Sequence, residues 1–148
     1  MSKKKLLIGG AIIAAIVGYF LFSEPEPPTC DDPQAMANAK ELIYDYMSGG
    51  IQNNEFVKDF LKIIDRLYAL QPFELKSDDK ERVCEYIFVR KNVNSLEDLN
   101  ISKSRVPLWA VEYGIRSDYG SSRQFSYRVT FSKPNDKGQY LIQVKPER

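Results

Sequence analysis

The chain reads as an α+β protein: an apolar N-terminal segment, then two amphipathic helices packed on a curved antiparallel sheet of four or five strands. Three observations carry that expectation. An uncharged run, LLIGGAIIAAIVGYFLF, extends from Leu6 to Phe22. Apolar residues then recur at spacings of three and four between Met36 and Tyr68. From Phe73 onward the spacing falls to two, with turn-forming residues between the runs.

The apolar run holds 17 residues, and as a helix it covers roughly 25 Å, the short end of what spans a bilayer. Lys3, Lys4 and Lys5 precede it, and no basic residue follows until Lys40. The positive-inside rule then places the N-terminus in the cytoplasm and the rest on the far side, as an uncleaved single-pass anchor over residues 1–22. A cleaved signal peptide is the competing assignment. It is opposed by the length of the run and by its bulky end, Tyr19, Phe20, Leu21 and Phe22, where a small-x-small cleavage site belongs. Gly10, Ala14 and Gly18 fall four apart on one face of this helix. That spacing suits close helix packing, either in a homo-oligomer or against a partner's transmembrane helix, although such patterns also arise by chance.

Ser23 to Thr29 (SEPEPPT) is an extended, fairly stiff stalk, because proline fixes φ and has no amide donor. One domain follows, over residues 30–148. The full chain has 21 Lys+Arg and 20 Asp+Glu. Three of the basic residues precede the apolar run and two of the acidic ones lie in the stalk, so the domain itself is neutral. Neutrality argues against a nucleic-acid partner held by bulk charge.

Asp31-Asp32-Pro33 opens the first helix, with Asp as cap and Pro as first helical residue. Met36, Ala39, Leu42, Ile43, Tyr46 and Met47 form its stripe, and Gly49-Gly50 ends it near Ser48. Asn53 or Asn54 caps the second helix. Its apolar face comprises Phe56, Val57, Phe60, Leu61, Ile64, Leu67 and Tyr68, and Pro72 is expected to stop it. A short strand at Phe73 and Leu75 turns through Ser77 to Lys80 into a returning strand from Val83 to Arg90. One helical turn is expected within Ser95 to Asn100. Three further strands are expected from alternation: Trp109 to Arg116, Phe125 to Phe131 and Tyr140 to Lys145. If they pair in the simplest register, Trp109, Tyr113, Phe125, Tyr127, Phe131 and Tyr140 share one face. They form either the core under the helices or, in part, the lining of an aromatic pocket. Arg116, Arg128 and Lys145 would then alternate onto the opposite, wet face, with Glu112 among them.

The order of helices and strands over residues 31 to 145 resembles the small cone-shaped α+β folds of the NTF2-like and cystatin-like kind, in architecture and without a shared motif. That resemblance implies pockets, dimerisation modules, inhibitors or enzymes, and does not choose among them.

Outside the cytoplasm, two cysteines in one small domain are expected to pair, so Cys30 and Cys84 are assigned to a disulfide. The chain has no histidine, which removes Ser-His-Asp and Cys-His pairs and histidine-ligated metal. Asp31-Asp32, Asp78-Asp79 and Glu97-Asp98 read as cap and turn residues. No phosphate-binding glycine loop or G-x-S-x-G motif is present. No catalytic residue, metal or cofactor is therefore expected.

The expected role is a non-catalytic interaction module, such as a subunit or assembly factor of a bacterial envelope complex. Its layout resembles that of bacterial inner-membrane accessory proteins, with the domain in the periplasm or outside the cell and another envelope protein as partner. A small-ligand-binding domain with an aromatic pocket is the alternative class, and a hydrolase without histidine a third. The candidate contact residues are Trp109, Tyr113, Tyr119, Tyr127, Arg116 and Arg128, with Tyr119 placed on an exposed loop.

Overall fold

A computed structural model describes residues 12–16, 26–51 and 53–147. Helix α1 spans Pro33–Met47, and the Asp32 carboxylate accepts the Ala35 amide at 2.9 Å, as its place before Pro33 implies. It ends where Gly49 and Gly50 take positive φ (64° and 85°), a region open to glycine without steric cost. Helix α2 spans Glu55–Leu67, capped by the Asn54 side chain on the amides of Phe56 and Val57.

The second helix ends earlier than the sequence suggests. Strand β2 begins at Tyr68 and runs to Ser77, so Pro72 lies inside a strand and not at a helix stop. This is tolerated because β2 is the edge of the sheet, where a missing amide donor leaves no partner unpaired. Strand β3 (Glu81–Arg90) returns through a turn in which the Asp78 carboxylate accepts the amides of Lys80 and Glu81. Glu97–Leu99 form the expected single helical turn.

The largest correction concerns residues 108–119. They form a third helix, α3 (Leu108–Tyr119), and not the strand that their alternation suggests. A second periodicity runs through the same residues. Leu108, Val111, Ile115 and Tyr119 repeat at helical spacing, and in the structure they turn inward. Pro107 precedes the helix and Gly120 ends it at φ 77°. Strands β4 (Gln124–Ser132) and β5 (Gln139–Glu147) close the domain.

The sheet is antiparallel in the order β2-β3-β4-β5, and three helices lie on one face of its four long strands. Cys84, Tyr86 and Phe88 on β3, Phe125, Tyr127, Val129 and Phe131 on β4, and Tyr140, Ile142 and Val144 on β5 form the buried face. Helix α1 covers it with Ala35, Ala39, Leu42 and Ile43, α2 with Ile63, Ile64 and Leu67, and α3 with Val111 and Ile115. The Phe88 and Phe125 rings stack at 4.7 Å. The α+β architecture is thus as expected, with one helix more than the sequence suggests.

The segment Ile12–Ile16 (β1) lies antiparallel along the outer edge of β5, Ile12 opposite Gln143 and Ile16 opposite Gln139. These five residues belong to the apolar run read as a membrane helix. The remainder of that run, with Gly10, Gly18 and the start of the stalk, lies outside the described residues. A strand on β5 and a bilayer-spanning helix are mutually exclusive states of Ile12–Ile16. Among the described residues no helix is long and apolar enough to cross a membrane.

Candidate functional site

The disulfide joins Cys30 to Cys84 as expected, with Cα atoms 5.7 Å apart. It fastens the end of the stalk to β3. The Tyr86 hydroxyl donates to the Cys30 carbonyl at 2.7 Å, and Arg82 reaches the Pro27 carbonyl at 3.5 Å. The chain therefore enters the domain at the Glu81 end of β3.

Helix α3 is fastened at the other end of that strand. Arg90 donates from Nε to the Glu112 carboxylate, and its remaining nitrogens reach the carbonyls of Lys91 and Val93 at 2.9 and 3.0 Å. Gly114 faces α2, where a Cβ would meet the Phe60 ring at 3.7 Å. The Arg105 amide, just before α3, donates to Asp59 at 2.7 Å. With one side held by α2, another by Arg90 and the inner side by the core, the remaining side of α3 looks outward.

That outward side carries Trp109 and Tyr113, one helical turn apart and 70% and 68% exposed. They are not part of the core or of a sheet face, as the strand reading requires. Arg116, also exposed, continues the same stripe and does not share the wet sheet face with Arg128. Helix α3 has two carboxylates: Glu112, at the border of this stripe one turn from Trp109 and Arg116, is engaged by Arg90, and Asp118 lies three residues beyond Ile115, toward Tyr127. Trp, Tyr and Arg are the residues on which protein interfaces concentrate their energy. An exposed tryptophan and tyrosine on a helix whose other face is already packed have no folding role to explain them.

The other candidate residues separate. Tyr119 is not on an exposed loop. It is half-buried at the end of α3, its ring stacks on Phe125, and its hydroxyl bonds that of Tyr127. Tyr127 is fully buried, and Tyr46 packs edge-on against it. Burial, with the Tyr119 hydroxyl beside it, pushes the Tyr127 hydroxyl well above the ordinary tyrosine range. Arg128 stands on the uncovered sheet face between Glu85 of β3 and Lys145 of β5. The structure thus keeps Trp109, Tyr113 and Arg116 together and places Tyr119, Tyr127 and Arg128 elsewhere.

Phe125, Tyr127, Phe131 and Tyr140, which an aromatic pocket would need, are packed beneath the helices. A shallow depression lined by Thr29, Cys30, Asp31, Pro72 and Glu74 lies beside the disulfide. Among the described residues no group of three His, Cys, Asp or Glu side chains is placed to hold a metal ion. The uncovered sheet face also carries large apolar residues missed as site candidates: Phe73, 49% exposed, and Leu141, 50% exposed. Phe56, assigned from sequence to the packed side of α2, is 57% exposed at its first turn.

Comparison of the chain with protein-family models, with curated proteins and with solved structures gives no match.

Proposed function

We propose that the protein is a membrane-anchored, non-catalytic interaction module, a subunit or assembly factor of a bacterial envelope complex, and that it engages its partner through the outward face of α3. The observation that carries this reading is the exposure of Trp109 and Tyr113 on a helix already packed on its other sides. The anchor is supported by the uncharged run Leu6 to Phe22 behind three lysines. In water the β5 edge offers Ile12–Ile16 backbone partners; in a hydrocarbon layer, where no water can satisfy those groups, the whole run satisfies them as one helix. The Cys30–Cys84 bridge fits an oxidising compartment outside the cytoplasm.

Mild crosslinking in native membranes followed by affinity purification tests the reading. A partner protein in fixed proportion to the chain is the expected result. Recovery of the chain alone, across crosslinker lengths, would overturn it.

A further inference from the structure

Resting on that reading, the geometry points to the kind of partner: we propose that the Trp109–Tyr113–Arg116 face of α3 docks an acidic, apolar-bearing segment of a protein on the domain's own side of the membrane. Two observations carry the proposal, one of position and one of charge.

Position comes from the two ends of β3. The stalk meets the domain at Arg82, through Pro27, and two residues later the disulfide locks it to Cys84. Helix α3 is held at Arg90 through Glu112, and Trp109 lies within one helical turn of Glu112. Arg82 and Arg90 are eight steps apart along the strand, which is about 26 Å at the rise of a β-strand. The five residue-to-residue steps from Phe22 to Pro27 reach at most about 17 Å. A tether this short, fixed at one end of β3 by a covalent bridge, keeps the Arg82 end at the membrane. Helix α3 sits at the other end of the strand from that attachment.

Charge selects among proteins. The outward stripe of α3 carries two aromatic rings and one cation, and the carboxylate at its border, Glu112, is engaged by Arg90. Arg105, just before the helix, is turned instead toward α2, where its guanidinium meets Glu55 at 3.5 Å, so Arg116 is the cation of the outward stripe. The rings accept apolar side chains, and the Arg116 guanidinium donates to a carboxylate in planar, paired geometry. An acidic segment with interspersed apolar residues matches both features. A basic or fully apolar surface matches only one.

The test is photo-crosslinking in native membranes, with p-benzoylphenylalanine placed in the full-length chain at Tyr113 or, as a comparison, at Phe73 on the uncovered sheet face. The expected result is a protein adduct from position 113 and none from position 73, with the captured partner peptide rich in Asp and Glu. Arg116→Glu should lower the adduct yield roughly tenfold or more, with Arg116→Lys retaining part of it. An unchanged thermal midpoint shows that both variants fold. A lipid adduct, an adduct to a second copy of this chain, a captured peptide without acidic residues, or a yield indifferent to Arg116→Glu overturns the proposal. A protein adduct from position 73 alone overturns this face while keeping the interaction module. Absence of any adduct from both positions counts against the module itself.

Discussion

Replacing Cys30 and Cys84 together by alanine opens the bridge that ties the stalk to the sheet. The two residues are 54 apart in sequence, so the bridge closes a loop of about 55 residues in the unfolded chain. The chain-entropy relation gives a loss of about 14 cal/mol/K for that length, or about 4 kcal/mol at 25 °C. Domains unfold with an entropy of about 2.1 cal/mol/K per residue, so a domain of about 120 residues unfolds with about 250 cal/mol/K. The double variant should therefore melt about 16 °C lower. Guanidinium unfolding of the full chain in mild non-ionic detergent, followed by far-ultraviolet circular dichroism, measures the loss. Because the bridge acts on the unfolded state, its removal should also raise the denaturant slope as that state expands. Reductant added to the native chain should reproduce both changes. A loss below about 1 kcal/mol would refute the reasoning. It would mean that the unfolded chain holds the stalk near β3 without the bridge.

Further outcomes distinguish the elements. Ile115→Ala should destabilise the domain by about 2–4 kcal/mol, since Ile115 is 1% exposed in the core, whereas Trp109→Ala should change stability by less than about 0.5 kcal/mol. A strand at 109–116 would put both residues on one face and make both substitutions costly, so thermal unfolding of the two variants checks the helix directly. Burial pushes Tyr68 and Tyr140 up to about 12, and raises Tyr44, Tyr86 and Tyr127 as well. The unfolded chain loses these protons near pH 10, so the stability they contribute is complete below that pH and is lost as the pH rises through about 12. Tyrosinate absorbance should accordingly climb in step with unfolding at alkaline pH. In bilayers, with the apolar run inserted, the outward amides of Gln139 to Gln143 should exchange hydrogen as a free sheet edge; protection there would mean that Ile12–Ile16 stay on β5.

Most of the fold was legible because local chemistry and tertiary packing agree. Asp32 and Asn54 stand at their cap positions, Gly49-Gly50 ends α1, and Asp78 closes the β2–β3 turn. The bridge followed from two cysteines in one small domain and an expected location outside the cytoplasm. Helix α3 was not legible because residues 108–116 satisfy two periods at once. Trp109, Val111, Tyr113 and Ile115 alternate like a strand and are rich in aromatic and β-branched side chains. Leu108, Val111, Ile115 and Tyr119 repeat like a helix. Tertiary contacts decide between them: Val111 and Ile115 share the core, Glu112 meets Arg90, and Gly114 lets α2 approach. The same ambiguity governed the site. Trp109, Tyr113 and Arg116 were candidate contacts on a supposed sheet, and they are brought together by the outward turn of a helix. Tyr127 was a candidate on the same supposed sheet and Tyr119 on a supposed loop, and their mutual hydroxyl bond lies against the core. The early start of β2 was hidden by Pro72, whose missing donor an edge strand does not need.

The central claim is that partner binding resides on α3. Its most direct test is paired recovery from native membranes of the unaltered chain, the Trp109→Ala/Tyr113→Ala variant and a Phe73→Ala control. Truncating two interface anchors should cost at least about 2 kcal/mol, so the α3 variant should recover roughly thirtyfold less partner, while Phe73→Ala recovers the unaltered amount and all three melt together. Equal partner recovery by the α3 variant and the unaltered chain would contradict the account.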